Sequence, residues 1–175
     1  NLTVVPCEGY THQTRYELPI APSPNLPNIH SIYLYPSTCL FEGTVMSLGR
    51  GTDFPFEVYG HPNYKGSDFS FTPRSVAGAK KPPLLNKKCY GVDLREMSNQ
   101  DIWERGFDLS YVIDAYQNMN IGNKFFSSFF EKLVGVDYIR QDIIAGKSAD
   151  EIKQKWSGDV EQFVKQRRPY LLYEE

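Results

Sequence analysis

The sequence predicts an α+β fold: a small mixed or antiparallel sheet in the middle of the chain, with helices concentrated in the carboxy-terminal half. Two observations point to this class. Between residues 54 and 95, aromatic and β-branched side chains alternate with polar ones in short runs, as in half-buried strands. After Ser98, apolar residues recur every three or four positions, as in helices with one buried face. No internal repeat is visible, so we expect a single domain over residues 1–175.

The amino-terminal part is predicted to be extended. Leu2 to Val5 is a short apolar run with β-branched residues, and it ends at Pro6, which indicates a strand. Residues 18–28 contain four prolines in eleven positions, which excludes a helix or a central strand and predicts a stiff backbone. This proline-rich segment is either a linker or a rigid loop that lines a cleft.

The first helix is predicted to start at Ile29. Asn28 is suited to cap it, and apolar residues follow at helical spacing. Pro36 is expected to kink or restart this helix, because proline lacks the backbone N–H that continues the hydrogen-bond pattern. Gly43 is expected to end it in a left-handed conformation.

Three short strands are predicted next. Residues 54–58 alternate apolar and polar side chains, and Pro55 among them indicates a strand at the edge of the sheet. The same alternation predicts further strands around residues 69–71 and 90–94.

Helices are predicted for the remaining residues. One apolar face runs along residues 99–119, with Gly106 as a weak point. The aromatic block at residues 125–133 is expected in the core. Asp137 is predicted to cap a short helix over residues 138–145.

The carboxy-terminal end is predicted to be helical before Pro169. Ser148 and Glu151 form the capping-box pattern at the start of a helix. Phe163 and Val164 are expected to face inward from the last helix. Residues 170–173 are predicted to be a closing strand or an apolar tail against the sheet.

Composition excludes several classes of protein. With 41% hydrophobic and 23% charged residues, 175 residues are enough for a folded core, so general disorder is excluded. The formal charge of −2 gives no overall field that would attract nucleic acid. No apolar run approaches the roughly 20 residues that cross a bilayer, so no membrane span is expected.

No metal or cofactor is expected either. The three histidines, His12, His30 and His61, are scattered along the chain, and no phosphate-binding loop is present. Cys7, Cys39 and Cys89 lack metal-ligand spacing. Their odd number leaves room for one disulfide and one free thiol, and the spacing does not select the pair.

One segment is locally basic. Between Ser70 and Val92 the charged residues are all cations, namely Arg74, Lys80, Lys81, Lys87 and Lys88. This segment either faces an anionic polymer or is a solvated loop, which its glycine and prolines favour.

Residues 39–52 combine the features of a binding loop. Gly49 and Gly51 flank Arg50, so the backbone is flexible enough to expose a guanidinium that pairs with a carboxylate or with sugar hydroxyls. Ser47 and Thr52 add hydroxyl groups. Glu42 has two alternative roles: it braces the loop by pairing with Arg50, or it acts as an acid or base.

Three motifs in this region carry a family resemblance: Pro-Ser-Pro-Asn-Leu-Pro at 22–27, Tyr-Pro-Ser-Thr-Cys-Leu-Phe-Glu-Gly-Thr at 35–44, and Ser-Leu-Gly-Arg-Gly-Thr at 47–52. Together they resemble the NamZ-type exo-β-N-acetylmuramidases of bacteria. The likeness continues, in family order, through Gly60-His61-Pro62, the tyrosine-containing stretch at 89–92 and the Arg-Pro-Tyr-Leu-Leu-Tyr motif at 168–173. It covers essentially the whole chain.

The resemblance implies a larger, two-domain glycoside hydrolase. In such proteins an amino-terminal Rossmann-like domain carries the principal catalytic glutamate, and a carboxy-terminal domain closes over the sugar. This chain resembles the second domain, and its start, which reads as a strand already under way, suggests that sequence precedes it. Its expected partners are that amino-terminal domain and peptidoglycan fragments (muropeptides). The expected location is periplasmic or extracellular, and the chain is not expected to catalyse the reaction alone.

The resemblance also suggests roles for individual residues. N-acetylmuramic acid bears a lactyl carboxylate, and Arg50 is expected to bind it. Glu42 is expected to orient Arg50 or to assist, and is a weak catalytic candidate. The pocket is expected to be shaped by four further residues of the loop and by a histidine that either binds substrate or braces its turn: Ser47, Gly49, Gly51, Thr52 and His61.

The sequence departs from the family pattern at two places. Val45 stands where relatives often have Asn, and His61 and Asn63 stand where relatives often have a small residue and an aromatic one. These differences leave the exact sugar preference open. Two other functions are consistent with the sequence: a glycan-binding module without catalysis, and a domain that only stabilises its partner.

Overall fold

The computed structural model describes residues 1–175 and has an α+β fold, which confirms the predicted class. Three strands and six helices have these bounds: β1 (Val58–His61), β2 (Ser70–Phe71), β3 (Cys89–Asp93), α1 (Ile29–Thr38), α2 (Asn99–Arg105), α3 (Ser110–Met119), α4 (Phe130–Val134), α5 (Tyr138–Ile144) and α6 (Ala149–Arg167). Three 3-10 turns cover Cys39–Gly43, Gly122–Phe125 and Arg168–Tyr170.

The sheet is entirely antiparallel, in the order β1-β3-β2. β1 is an edge strand, as Pro55 suggested. It begins at Val58, four residues later than residue 54, because Phe56 has a left-handed φ of 66° that no regular strand accommodates.

The core lies on the face of the sheet that carries Tyr59. Side chains from this face and from the helices form one cluster of 22 buried residues, in which Phe41, Phe125 and Phe130 have no exposed surface. The aromatic block at 125–133 therefore belongs to the core as predicted, except that Phe129 is exposed.

A second, smaller apolar cluster lies on the opposite face of the sheet. Val58, Phe71 and Cys89 form its buried centre, and three partly buried side chains pack on it: Phe54, Phe69 and Leu84. Strand side chains alternate between faces, so β1 and β3 contribute to both clusters, whereas β2 contributes Phe71 to the smaller one. Loops, not helices, cover this second face.

Helix α1 begins as predicted. The Ser31 N–H donates to Asn28 Oδ1 (2.7 Å), which completes a capping box. Pro36 lies inside the helix, which continues to Thr38 before tightening into the 3-10 turn. Gly43 does not adopt a left-handed conformation, contrary to prediction. It is needed for another reason: a Cβ there would lie 2.5 Å from the Cα of Phe130.

The helix predicted over residues 99–119 is two helices, α2 and α3. Gly106 has a φ of 60° and ends α2. Ser37 stabilises the break, because its hydroxyl donates to the Gly106 carbonyl (3.3 Å) and accepts from the Asp108 N–H (2.9 Å). The predicted weak point is thus the break between two helices.

The last two helices are joined by an ion-pair cluster. Asp142 of α5 is buried and contacts Lys147 Nζ at 2.8 Å and Lys155 Nζ at 2.5 Å. The predicted capping box is confirmed, with the Glu151 N–H donating to Ser148 Oγ and the Ser148 N–H donating to the Glu151 carboxylate. The Asp137 side chain makes no capping hydrogen bond, contrary to prediction.

The carboxy-terminal half of α6 projects away from the core. Phe163 is 61% exposed and Val164 is 40% exposed, so the prediction that both face inward is wrong. The helix has 19 residues, and its buried residue is Ile152, near its start.

The two ends of the chain contact each other. Leu2–Val5 forms no strand, contrary to prediction, and residues 170–173 form neither a strand nor a tail against the sheet. Instead, the Cys7 N–H donates to the Tyr173 hydroxyl (2.8 Å) and the His12 N–H donates to the Glu174 carbonyl (2.9 Å). No helix is both long and apolar enough to cross a membrane.

All three cysteines are free thiols, so no disulfide forms. Burial and the neighbouring charge of Glu42 raise the pKa of Cys39 to about 11. Burial likewise raises the pKa of Cys89 to about 11. Both thiols are therefore protonated at neutral pH, and neither is a nucleophile.

Candidate functional site

The centre of the candidate site is an ion pair between Arg50 and Glu42. The 3-10 turn after α1 presents Glu42, and the segment of residues 47–54, here called the Arg50 loop, presents the arginine. Arg50 Nη2 lies 2.9 Å from Glu42 Oε1. The side chains are 37% and 27% exposed, respectively, so the pair is accessible from solvent.

Two aromatic rings form the floor beside Arg50. Its guanidinium carbon lies 5.4 Å from the centre of the Phe56 ring, within the range of a cation–π contact. The Tyr35 ring lies 5.0 Å from Phe56 and is partly exposed. Phe56 is held in its left-handed conformation by a hydrogen bond from its N–H to the Leu48 carbonyl (2.7 Å).

Sequence reasoning had not included Tyr35 and Phe56 in the site. Both residues lie in or beside motifs that carry the family resemblance, and this position is the signal in the sequence that could have assigned them to the site. Alternation had instead indicated that Phe56 is a strand residue.

Gly49 and Gly51 allow the tight conformation of the Arg50 loop. Their φ values are 82° and 84°. A Cβ on Gly49 would lie 2.8 Å from the Phe54 carbonyl oxygen, and one on Gly51 would lie 2.4 Å from the Arg74 carbonyl oxygen. Both are buried, so they shape the site through the path of the backbone.

Ser47 and Thr52 brace the same loop. Ser47 is fully buried, and its hydroxyl accepts a long hydrogen bond from the Gly49 N–H (3.4 Å). The Thr52 hydroxyl donates to the Gly49 carbonyl (2.6 Å) and accepts from the Phe54 N–H (3.2 Å). These hydroxyls are engaged within the loop, so any contribution to the pocket acts through the position of Arg50.

His61 lies at the end of β1 and stabilises the turn that follows. Its Nδ1 accepts a hydrogen bond from the Asn63 N–H (3.1 Å). Burial and the charge of Lys87 lower the pKa of His61 below its ordinary value of 6.5, which favours the neutral ring. No hydrogen bond or ion pair joins it to Arg50 or Glu42, and its contact with substrate stays a prediction.

A match to a known protein family shows which proteins this chain is related to. Residues 33–173 match the family model described as "Exo-beta-N-acetylmuramidase NamZ, C-terminal". The chain belongs to this family.

Two related proteins extend this finding. Peptidoglycan beta-N-acetylmuramidase NamZ of Bacillus subtilis (strain 168) is 32% identical over 189 residues, which cover 99% of this chain and 46% of that protein. The crystal structure of a DUF1343 family protein from Bacteroides fragilis NCTC 9343 has a TM-score of 0.97 and 63% identity, over 99% of this chain and 49% of that one. The chain therefore spans about half the length of both.

Other carboxylates near the site of this NamZ C-terminal family member have structural roles or no partner. Glu57 is buried, accepts a hydrogen bond from Asn28 Nδ2 (2.7 Å) and faces His30 Nδ1 at 3.7 Å. Asp53 is exposed and forms no ion pair. No three His, Cys, Asp or Glu side chains converge into a metal-binding group.

Proposed function

We propose that this chain is the carboxy-terminal part of an exo-acting β-N-acetylmuramidase, which releases terminal N-acetylmuramic acid from peptidoglycan fragments. In this proposal it forms one wall of the substrate cleft, and an amino-terminal Rossmann-like domain supplies the other wall and the principal catalytic glutamate. The observation that carries the proposal is the match of residues 33–173 to the NamZ C-terminal family. The share of 46% of the Bacillus subtilis NamZ supports the division into two parts.

The Arg50–Glu42 pair supports a role in binding an acidic sugar. The lactyl group of N-acetylmuramic acid carries a carboxylate, and a guanidinium binds carboxylates through paired hydrogen bonds. Glu42 engages one terminal nitrogen of Arg50, at 2.9 Å, which leaves the other NH₂ group available to a ligand. The partly exposed ring of Tyr35 offers an apolar face for a sugar next to this cation.

The arrangement of carboxylates supports a division of labour with a second domain. Glycosidases commonly use two carboxyl groups on opposite sides of the scissile bond. Glu42 is paired with Arg50, and Glu57 is buried against Asn28 and His30. This chain offers no free pair of acids facing a common space beside Arg50.

Exposed apolar side chains support the presence of a covering partner. Leu2 is 89% exposed, Val5 is 84% exposed and Ile20 is 81% exposed, all in the amino-terminal segment. Large apolar side chains that are exposed in one segment are candidates for an interface. We assign these exposed side chains to the contact with the amino-terminal domain.

We place the enzyme in the periplasm or outside the cell, where peptidoglycan is found.

The proposal is tested by hydrolysis of a chromogenic N-acetylmuramic acid glycoside. The 175-residue chain and the longer protein that contains it are compared at equal concentration, with the matching N-acetylglucosamine glycoside as the substrate control. We expect hydrolysis by the longer protein alone, and only of the acidic sugar. Hydrolysis by the isolated chain would move the catalytic acid onto it and make Glu42 the first candidate. Binding of muropeptides without hydrolysis by either protein would indicate a glycan-binding module.

A further inference from the structure

The segment between β2 and β3, residues 72–88 and here called the basic loop, carries unpaired positive charge. Five cations and no acidic residue lie in it. All five side chains are exposed, and none takes part in an ion pair: Arg74, Lys80, Lys81, Lys87 and Lys88. By contrast, several lysines and arginines elsewhere in the chain have a carboxylate partner.

The basic loop has a defined backbone. The Asn86 N–H donates to the Pro73 carbonyl (2.8 Å), and Arg74 Nη1 donates to Asn86 Oδ1 (3.1 Å), which closes the base of the loop. Val76 and Ala79 exchange two backbone hydrogen bonds of 3.2 and 3.1 Å near its tip. These hydrogen bonds fix the backbone of the basic loop at its base and near its tip.

The basic loop is continuous with the Arg50 loop. The Arg74 N–H donates to the Gly51 carbonyl (2.8 Å). Gly51 follows Arg50 in the chain, so this hydrogen bond joins the Arg50 loop to the first cation of the basic loop. On its other side, Asn25 Nδ2 donates to the Gly78 carbonyl (2.9 Å) and ties the tip to the proline-rich segment. The basic loop therefore lies between the candidate site and that stiff segment.

The charge and position of the basic loop fit an extended polyanion that enters the Arg50 site. A peptidoglycan strand without its peptides carries a free lactyl carboxylate on every second sugar, and is therefore a polyanion. If Arg50 binds the lactyl group of the terminal sugar, further carboxylates of the same strand follow along the chain. Cations and carboxylates within about 8 Å attract each other at physiological ionic strength, because screening is incomplete at that range.

We propose that the basic loop is the docking surface for the remainder of a peptide-free glycan strand, whose terminal sugar lies at Arg50. This inference rests on the proposed function for the identity of the strand. Lys80, Lys81, Lys87 and Lys88 supply the charge, and recognition depends on free carboxylates and on strand length. Nucleic acid, which is also a polyanion, is the competing ligand that the experiment must exclude.

The experiment measures binding of the 175-residue chain to peptide-free glycan strands of two, four and eight sugars by calorimetry at low and physiological salt. Strands whose lactyl carboxylates are methyl-esterified serve as neutral ligands of the same shape. The test variant changes Lys80, Lys81, Lys87 and Lys88 to Gln. The control variant removes the same charge elsewhere by changing four exposed lysines to Gln: Lys124, Lys132, Lys153 and Lys165.

We expect affinity to rise with strand length, to fall with salt, and to drop roughly tenfold in the test variant but not in the control variant, because four exposed ion pairs are removed. Equal binding of the esterified strands, or equal loss in both variants, would overturn the proposal. So would tighter binding of a single-stranded DNA of equal charge.

Hydrolysis of the monosaccharide glycoside by the longer protein separates this inference from the proposed function. In this proposal the terminal sugar lies at Arg50 and the four lysines contact the rest of the strand, so the test variant is expected to retain that activity. Absence of activity in the unmodified protein would count against the proposed function and would leave the binding result to be judged on its own.

Discussion

Arg50 is held by contacts that a ligand is able to replace. Its ion pair with Glu42 is accessible to water, and exposed pairs of this kind contribute about 0 to 1 kcal/mol to stability. The ring of Phe56 beneath the guanidinium fixes its position without using a hydrogen bond. In the proposed complex, the substrate carboxylate would therefore meet a cation that is oriented but only weakly engaged.

We expect Arg50→Ala in the longer protein to raise KM for the N-acetylmuramic acid glycoside by roughly 10- to 100-fold. A charge-assisted hydrogen bond contributes about 1.5 to 3 kcal/mol, and its loss accounts for this range. The KM of Arg50→Lys is expected to lie between the values of the unmodified protein and of Arg50→Ala, because lysine keeps the charge but loses the planar fork. Arg168→Ala, at an exposed arginine of the 3-10 turn Arg168–Tyr170, is the control. Unchanged KM and kcat in Arg50→Ala would remove this residue from the binding site.

Gly51 is expected to tolerate no side chain. Gly51→Ala combines a left-handed φ of 84° with a Cβ placed 2.4 Å from the Arg74 carbonyl oxygen, so we expect the free energy of unfolding to fall by at least about 2 kcal/mol. Gly66→Ala is the matched control, because its φ is 74° but nothing lies within 4 Å of the added atom. It is expected to cost about 1 kcal/mol, the cost of a left-handed φ alone. Urea unfolding measures the free energy of unfolding of both variants. Equal losses of stability would mean that the contact with Arg74 is unimportant.

At this scale, the ion pair at the centre of the candidate site was predictable and its apolar surroundings were not. The structure shows the predicted pairing of Arg50 with Glu42, and a role of Glu42 as an acid or base stays a prediction. The role of Phe56 was not foreseen, because alternating hydrophobicity indicates a strand and carries no information about a positive φ in a non-glycine residue. Tyr35 was not foreseen because a helix residue that turns toward a later loop is a tertiary contact.

Among the elements, the two capping boxes were predicted well. The caps of α1 and α6 are formed by side chains three residues apart, so the sequence contains the whole interaction. The break between α2 and α3 depends also on Ser37, which lies 69 residues before Gly106, and periodicity alone merged the two helices.

The junction of α5 and α6 is expected to be sensitive to acid. The side-chain hydrogen bonds from Lys147 and Lys155 lower the pKa of Asp142 below its ordinary value of 3.8. The stability that this carboxylate contributes is present above that ordinary value and is lost as pH falls through the lowered pKa. We expect Asp142→Asn to be less stable than the unmodified chain at pH 7, with the difference shrinking below about pH 4.

Thermal unfolding between pH 2 and pH 7 measures this effect. Asp159→Asn, at an exposed position of α6 without an ion pair, is the control and is expected to leave the difference between acid and neutral pH unchanged. A constant difference between Asp142→Asn and the unmodified chain at all pH values would show that packing of the side chain, not its charge, joins the helices.

For the whole molecule, composition and patterning were sufficient for the fold class. The sheet, the helix-rich second half and the aromatic core all follow from local periodicity and burial. The exposed outer half of α6 does not follow from periodicity. In the sequence, an apolar helix residue that faces the core of its own domain looks the same as one that a neighbouring domain would cover. Phe163 and Val164 were assigned to the core for that reason.

The ends of the chain were the least predictable part of the molecule. The contacts of Cys7 with Tyr173 and of His12 with Glu174 join segments separated by more than 160 residues. No local pattern reports such contacts, and the apolar run at Leu2–Val5 suggested a strand where none exists.

The backbone hydrogen bond between Arg74 and Gly51 has a consequence for the thermodynamics of ligand capture. It connects two loops that would otherwise fluctuate independently, so their conformational entropy is lost during folding and not when a ligand arrives. A ligand that spans both loops then meets a surface already in its final shape. If the proposed ligand binds there, less of its binding free energy is spent on ordering the backbone of the two loops.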